Sequence, residues 1–254
     1  SFQRSFEDTD KSVVKNIYSH LRKVFIQEGA VFFGGYANSL YSKYMKNSRN
    51  AHLPDFDVLS ETPEKTADSV IEALTNEGIE NVSYVKHNGI GEMLAEHFEI
   101  KVGKETVAFI YLPLSCHSYN EIKIGKYNVK VATIDTMLNL YLSFLFADRK
   151  YYDEERILCM AEYLFKVQSK NRLAQKGLLK RFSLQCYGKQ ETLDDMRKHK
   201  AAAYKRLKDK RGTKEYEEHF LKYVPKKAEA LKRLTSTKKV LSAKSSSKKT
   251  RKNK

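Results

Sequence analysis

The sequence predicts an α+β fold in which a mixed sheet is flanked by helices and followed by a mostly helical region and a basic tail. Three observations carry that expectation. Segments with helical spacing are interleaved with strand-like alternation as far as residue 132. From Thr133 onward the apolar pattern is helical. Residues 236–254 hold eight Lys/Arg, repeated Ser and no acid, a composition that cannot bury a core and reads as disordered. The expected units are therefore 1–132, 133–235 and 236–254.

Taken in order, residues 12–28 put Val13, Val14, Ile17, Leu21, Val24 and Phe25 on one helical face, and Gly29 is placed to stop that helix. Residues 30–33 form a short apolar run ending in Gly34-Gly35, after which 36–45 resumes helical spacing. Beyond Pro54, Asp55-Phe56-Asp57-Val58-Leu59 alternates as a strand does. Thr62-Pro63 reads as an N-cap followed by proline at the first helical position, opening a helix to about Asn76, ahead of Gly78. Strands are expected at 81–87, 93–102, 105–112, 121–124 and 127–132. Gly103-Lys104 and Gly125-Lys126 have the Gly-first pattern of type II′ hairpin turns. Helices are expected at 134–146, at 153–169 and beyond 190.

With 41% hydrophobic and 11% aromatic residues, the 254-residue chain can bury a core, which excludes wholesale disorder. No apolar run approaches the ~18 residues of a membrane span, and Ser-Phe-Gln-Arg lacks the form of a secretory signal. A start at Ser1 without Met reads as a trimmed fragment. The net charge of +16 sits at one end: residues 197–254 carry a balance of +17 and residues 1–196 a balance of −1. Such asymmetry points to a polyanionic partner, nucleic acid first. Cys116, Cys159 and Cys186 stand far apart with no CxxC pair, which argues for a reducing compartment and a cytoplasmic protein. The histidines form no zinc pattern, and no Walker loop is present.

The chemistry lies in two short words. Residues i and i+2 of a strand share a face, so Asp55 and Asp57 point together while Phe56 and Val58 enter a core. Adjacent carboxylates repel unless a cation lies between them, and Mg²⁺ (or Mn²⁺) suits such oxygen ligands and carries a phosphate chain with it. The bare amides of Gly34 and Gly35, at the start of a helix, suit the approach of a triphosphate. Asn38 and Ser39, in the first turn, add side-chain donors. Either word alone is ordinarily a turn or a strand end. In this order, strand, diglycine, helix, strand-borne DxD, they resemble the nucleotidyltransferase superfamily of DNA polymerase beta and the poly(A) polymerases.

The surrounding residues sharpen the resemblance. Phe33-Gly34-Gly35-Tyr36-Ala37-Asn38-Ser39-Leu40-Tyr41 and Pro54-Asp55-Phe56-Asp57-Val58-Leu59-Ser60 look like the poly(A) polymerase catalytic subunits of nucleocytoplasmic large DNA viruses, of poxvirus, asfarvirus and mimivirus type. Ala95-Glu96-His97, residues 107–113 and 136–146, and the words Arg181-Phe182 and Cys186-Tyr187-Gly188-Lys189-Gln190 fit the same pattern. The resemblance implies a polymerase-beta-like fold and template-independent addition of AMP from ATP to RNA 3′ ends by two-metal phosphoryl transfer, in a virus-infected cell or virion. It makes Asp55 and Asp57 the catalytic metal ligands and implies a homodimer or a separate processivity subunit as partner. It also places Arg149 and Lys150 in the region that cradles nucleotide. The diglycine and DxD words do not choose among acceptors; tRNA, a small molecule or a protein are alternatives to RNA tails.

Two departures stand out. Relatives carry a third metal-binding aspartate in an Ala-Asp-Ile type word, which here is Ala108-Phe109-Ile110, and they continue into a further domain. Glu99 is the one substitute carboxylate considered. The missing acid supports an alternative reading, a degenerate paralogue that serves as an RNA-binding or scaffold partner. The RNA surface is expected on a helix over 197–211, at Arg197, Lys198, Lys200, Tyr204, Lys205 and Arg206, where a stacking ring lies among phosphate-binding cations. His97, Tyr41 and Tyr44 read as packed residues, and Asp135 as a carboxylate favoured by a helix start.

Overall fold

The computed structural model describes residues 11–45, 55–147 and 149–220. Helix α1 (Lys11–Gln27) leads through Gly29, at φ +69°, into β1 (Val31–Phe33) and α2 (Gly34–Tyr41), which tightens into a 3₁₀ turn at Ser42–Tyr44. Then follow β2 (Phe56–Leu59), α3 (Pro63–Asn76), β3 (Val82–His87), β4 (His97–Val102), β5 (Glu105–Tyr111), β6 (His117–Ile124) and β7 (Tyr127–Ala132). The remaining elements are α4 (Ile134–Ala147), α5 (Glu154–Lys170), a 3₁₀ turn at Gly177–Leu179, β8 (Cys186–Tyr187), α6 (Leu193–Leu207), a 3₁₀ turn at Lys208–Lys210 and α7 (Lys214–His219).

The strands form one mixed sheet of order β3-β4-β5-β2-β1-β7-β6-β8. β1 and β2 are antiparallel, whereas β1–β7 and β2–β5 are parallel and need crossovers. Helices α1 and α3 cover one face, where Phe25 meets the rings of Phe32 and Phe56 at 6.1 and 5.9 Å and Tyr18 meets Phe56 at 5.3 Å. The other face carries α4, whose Phe144 packs on Phe33 and Tyr111, and α5, which α2 reaches through Asn38. The 3₁₀ turn at Gly177–Leu179 joins this side: Tyr41, fully buried, donates its hydroxyl to the carbonyls of Ala132 and Leu178.

Capping follows local chemistry. Pro63 opens α3 after Thr62, but the hydroxyl of Ser60, not of Thr62, receives a backbone amide there. Asp153 caps α5 by accepting from the Arg156 amide at 3.0 Å, and Thr192 caps α6. Gly103 and Gly125 have φ near +60°, as the Gly-first hairpins require.

Three expectations change. The strand expected at 93–102 begins at His97, because residues 90–94 close a tight turn in which Ile90 bridges Leu94. The strand expected at 121–124 begins at His117, its polar first half paired with β7 and with the two-residue β8. That edge also corrects the reading of the cysteines: Cys116 and Cys186, seventy positions apart, are joined as a disulfide with Cα atoms 5.3 Å apart, while Cys159 is free and exposed. The tail at 236–254 lies outside the described residues. Among the described residues no helix is long and apolar enough to cross a membrane.

Candidate functional site: an acid pair closed by a guanidinium and aromatic rings

β2 sorts its residues as its alternation demands. Phe56 and Val58 are buried, Phe56 against Tyr18 and Phe25 of α1, while Asp57 and, just before the strand, Asp55 line a cavity with residues of α4 and α5. Phe33 lies in register with Asp57, so the chain leaves β1 and turns into α2 directly beside that carboxylate. Gly34 has φ +65°, and a Cβ there would coincide with the Asp57 side chain. The Gly35 amide donates to the Asp57 carboxylate. The diglycine is thus required where the acid needs room and a donor, and the two words expected to cooperate are in contact.

On the other side of Asp57 the register is equally direct. Parallel strand β5 sets Phe109 beside Asp57, and antiparallel β4 sets Glu99 beside Phe109. The carboxylate row expected from the resemblance is therefore interrupted by a ring. Glu99 is no replacement: it receives a hydrogen bond from Thr106, contacts His87 Nε2 at 2.8 Å and pairs with Lys101 at 3.3 Å. Burial pushes its pKa up, but those bonds outweigh it and hold the carboxyl below the usual range.

From across the site, α5 sends Arg156 onto Asp55, with Nη1 3.2 Å from Oδ2. Burial raises the Asp55 carboxyl, against the pull of Arg156. Asp57 is pushed up to about 7, first by burial and then by Asp55, with Arg156 and the Gly35 amide opposing. Two acids facing one guanidinium leave a surplus negative charge, which a proton on Asp57 relieves. The cavity between them measures about 80 Å³ and is walled by Phe109, Tyr141, Phe144, Tyr151, Tyr152 and Ile157, with Asp153 and Met160 at its edge. Ligand pockets ordinarily hold roughly 300–1,000 Å³, so this one is small beside them.

Asn38 and Ser39 do not line that cavity. Asn38 is buried, accepting from the Tyr141 hydroxyl at 3.2 Å and donating to the Met160 carbonyl at 3.4 Å, while the Ser39 hydroxyl donates to the Tyr36 carbonyl. Arg149 is half-buried, its Nε making no hydrogen bond among the described residues, and Lys150 is exposed. His97 is fully buried: Nδ1 meets the Ala95 carbonyl, Nε2 meets the Tyr151 hydroxyl at 2.8 Å, and the ring stacks on Tyr111. Burial lowers its pKa to about 4, so it is packed and neutral. Asp135 lies in the first turn of α4 and pairs with Arg181 at 3.5 Å.

The six residues expected to meet RNA all lie on α6. Ala203 and Leu207 form its buried side, and Arg197, Lys198, Lys200, Tyr204, Lys205 and Arg206 are exposed. Lys200 pairs with Glu92 at 2.9 Å, Arg197 with Asp194 at 3.5 Å, and Arg211 lies over the Tyr204 ring and donates to its hydroxyl at 2.7 Å.

Sequence reasoning missed Arg156 and the tyrosines of the 151–152 loop. One signal was there: Arg156 stands in the first turn of a helix, where the dipole favours acids such as Glu154 and Glu155 and disfavours a cation. A cation in that place needs an acid from elsewhere, and the DxD supplies it.

No family model matches the chain, and no curated protein matches it. Among solved structures it is similar to the Megavirus polyadenylate synthase, at 12% identity and a TM-score of 0.59, over 76% of this chain and 43% of that one. Weaker likenesses are to the antibiotic-resistance factor ANT(2'')-Ia (11% identity, 79% of this chain and 100% of that one, TM-score 0.40) and to an antigenic nucleotidyltransferase-like protein from Paracoccidioides brasiliensis (12%, 59% and 77%, TM-score 0.34). The mixed sheet, the flanking helices and the DxD strand beside a diglycine turn thus define a polymerase-beta-like nucleotidyltransferase fold. Within that class the chain is similar in fold to the Megavirus polyadenylate synthase, of which it spans less than half the length.

A two-metal site needs a set of oxygen donors around each ion. Here Asp55 is held by Arg156, Phe109 stands where the resemblance places a third acid, and among the described residues no group of three or more His, Cys, Asp or Glu is placed to hold a metal. The residues present do not fit the Mg²⁺ pair that the resemblance implies.

Proposed function

We propose that this chain is a nucleotidyltransferase-fold protein degenerate in its chemistry, which binds RNA through α6 and serves as a scaffold partner of an active polynucleotide adenylyltransferase. The observation that carries this reading is the register of Phe109 with Asp57. Loss of one preorganised electrostatic contact costs roughly 3–4 kcal/mol, or ~10²–10³ in rate, and here a second acid is also engaged by a guanidinium. The RNA surface is supported by the exposed cations of α6 around Tyr204 and by the charge balance of +17 over 197–254. The likeness to a viral polyadenylate synthase supports a setting in which RNA is tailed.

A second reading has one specific observation in its favour. The contact between the Gly34-Gly35 turn and Asp57 is intact, and it suits an active adenylyltransferase that uses ATP and Mg²⁺ or Mn²⁺ to extend RNA 3′ ends. Incubation of the protein with labelled RNA, ATP and either metal separates the two. The degenerate reading expects bound RNA of unchanged length; extension abolished by Asp57→Asn would establish the enzyme.

A further inference from the structure

We infer that Arg156 takes the place of a divalent cation at this site: its guanidinium is a built-in counter-ion to Asp55 and Asp57 and keeps the acid pair from binding free metal. The inference rests on the degenerate reading and deepens it, because it names a second substitution that closes the site besides Phe109.

Three features converge on Arg156. Its Nη1 lies 3.2 Å from Asp55 Oδ2, and the guanidinium lines the same cavity as both acids. A guanidinium is charged at every working pH and holds a fixed planar fork, so it does not vacate the carboxylate by losing a proton. Its place in α5 is also chosen against local preference. Asp153 caps the helix, Glu154 and Glu155 fill the first turn, and Arg156 alone brings positive charge to the positive end of the dipole. That unfavourable placement is offset by Asp57 of β2 and by Asp55 just before it.

Space makes the replacement exclusive. Mg²⁺ dehydrates reluctantly and keeps several waters when one or two carboxylates hold it. The cavity of about 80 Å³ is lined by Phe109, Tyr141, Phe144 and Tyr152, which offer no carboxylate, and its one further acid, Asp153, is engaged in capping α5. A dication entering beside the guanidinium meets like charge without the shell of oxygens that would compensate for it. Phe109 removes a ligand, and Arg156 fills the place the ligands would have prepared.

The test is a titration with Mn²⁺ followed by electron paramagnetic resonance of the free ion, on the intact chain and on folded variants checked by circular dichroism. Wild type is expected to show no Mn²⁺ site that depends on Asp57. Arg156→Gln is expected to gain one, with Mn²⁺ affinity roughly tenfold or more above the residual binding of the parent, that disappears when Asp57→Asn is added. Arg156→Lys, which keeps the charge, is expected to behave as the parent. A wild-type site that Asp57→Asn abolishes overturns the inference, and so does an Arg156→Gln protein that folds and gains nothing. Extension of RNA by wild type strikes at the degenerate reading, whereas an inactive wild type whose Arg156→Gln form gains no site contradicts the inference alone.

Discussion

Phe109 stands in register with Asp57 on the adjacent parallel strand, and its ring stacks on Tyr151 with centroids 5.5 Å apart. The ring is therefore built into the wall of the site, with His97 and Tyr111 beside it. Phe109→Ala removes those contacts. Because the ring is half-buried, the expected cost is about 2–3 kcal/mol, below the range for a fully buried phenylalanine. Equilibrium urea unfolding measures it, and a loss under about 0.5 kcal/mol would mean the ring is not packed as described.

Gly34 and Gly78 make a controlled pair. Both have positive φ, at +65° and +77°, but a Cβ at Gly34 falls on the Asp57 carboxylate whereas one at Gly78 meets open space. Gly78→Ala is expected to cost about 1 kcal/mol, the backbone term alone. Gly34→Ala carries that term and a steric one, and is expected to cost about 3 kcal/mol or more. Equal effects in denaturant titrations would remove the contact between the turn and the acid.

The raised pKa of Asp57 fixes the sign of a pH effect. Its carboxyl titrates near 7 when folded, against an ordinary 3.8. Its stabilising contribution is thus complete below pH 3.8 and lost as pH rises through 7. Asp57→Asn is expected to raise stability at pH 8 by about 1–3 kcal/mol and to change little near pH 4. Unfolding midpoints across that window measure it; a variant destabilised at pH 8 would contradict the charge assignment.

His97 gives the opposite slope. Held near 4 by burial, against an ordinary 6.5, it favours the folded state above pH 6.5, and that contribution drains away as pH falls through 4. The expected loss is about 3 kcal/mol between those limits. His97→Gln should be less stable at neutral pH, through lost contacts with Tyr111 and Tyr151, yet flatter in acid. A parent and variant with the same acid slope would exclude His97 as its source.

For α6 the prediction concerns salt. If about 8 cations of the basic end reach single-stranded phosphates, log affinity for RNA falls against log salt with a slope near −6. Replacing Lys198, Lys205 and Arg206 with Gln should flatten that slope by about 2. An unchanged slope in a filter-binding assay would place the contacts elsewhere in the chain.

Much of this was legible in the chain. The alternation Asp55-Phe56-Asp57-Val58 stated which faces the acids and the core residues take, and Gly103 and Gly125 marked both hairpins. What stayed hidden depends on contacts between distant segments. β8 is two residues long and exists only through its pairing with His117 and Ser118, and the Cys116–Cys186 link follows from that pairing. The polar first half of β6 offered no apolar alternation to read. Arg156 lies 101 positions from Asp55, and only the return of α5 across the sheet brings them together. Asn38 looked like a free donor because nothing in its own segment announced Tyr141 and Met160 as partners.

The central claim is that Arg156, and no metal, neutralises the acid pair beside Phe109. Its most direct test is anomalous diffraction at the manganese edge from crystals of the unmodified protein soaked in Mn²⁺ and a non-hydrolysable ATP analogue. The account predicts no anomalous peak between Asp55 and Asp57, with the guanidinium in contact with Asp55. A peak bridging the two carboxylates, with Arg156 swung away, would contradict it.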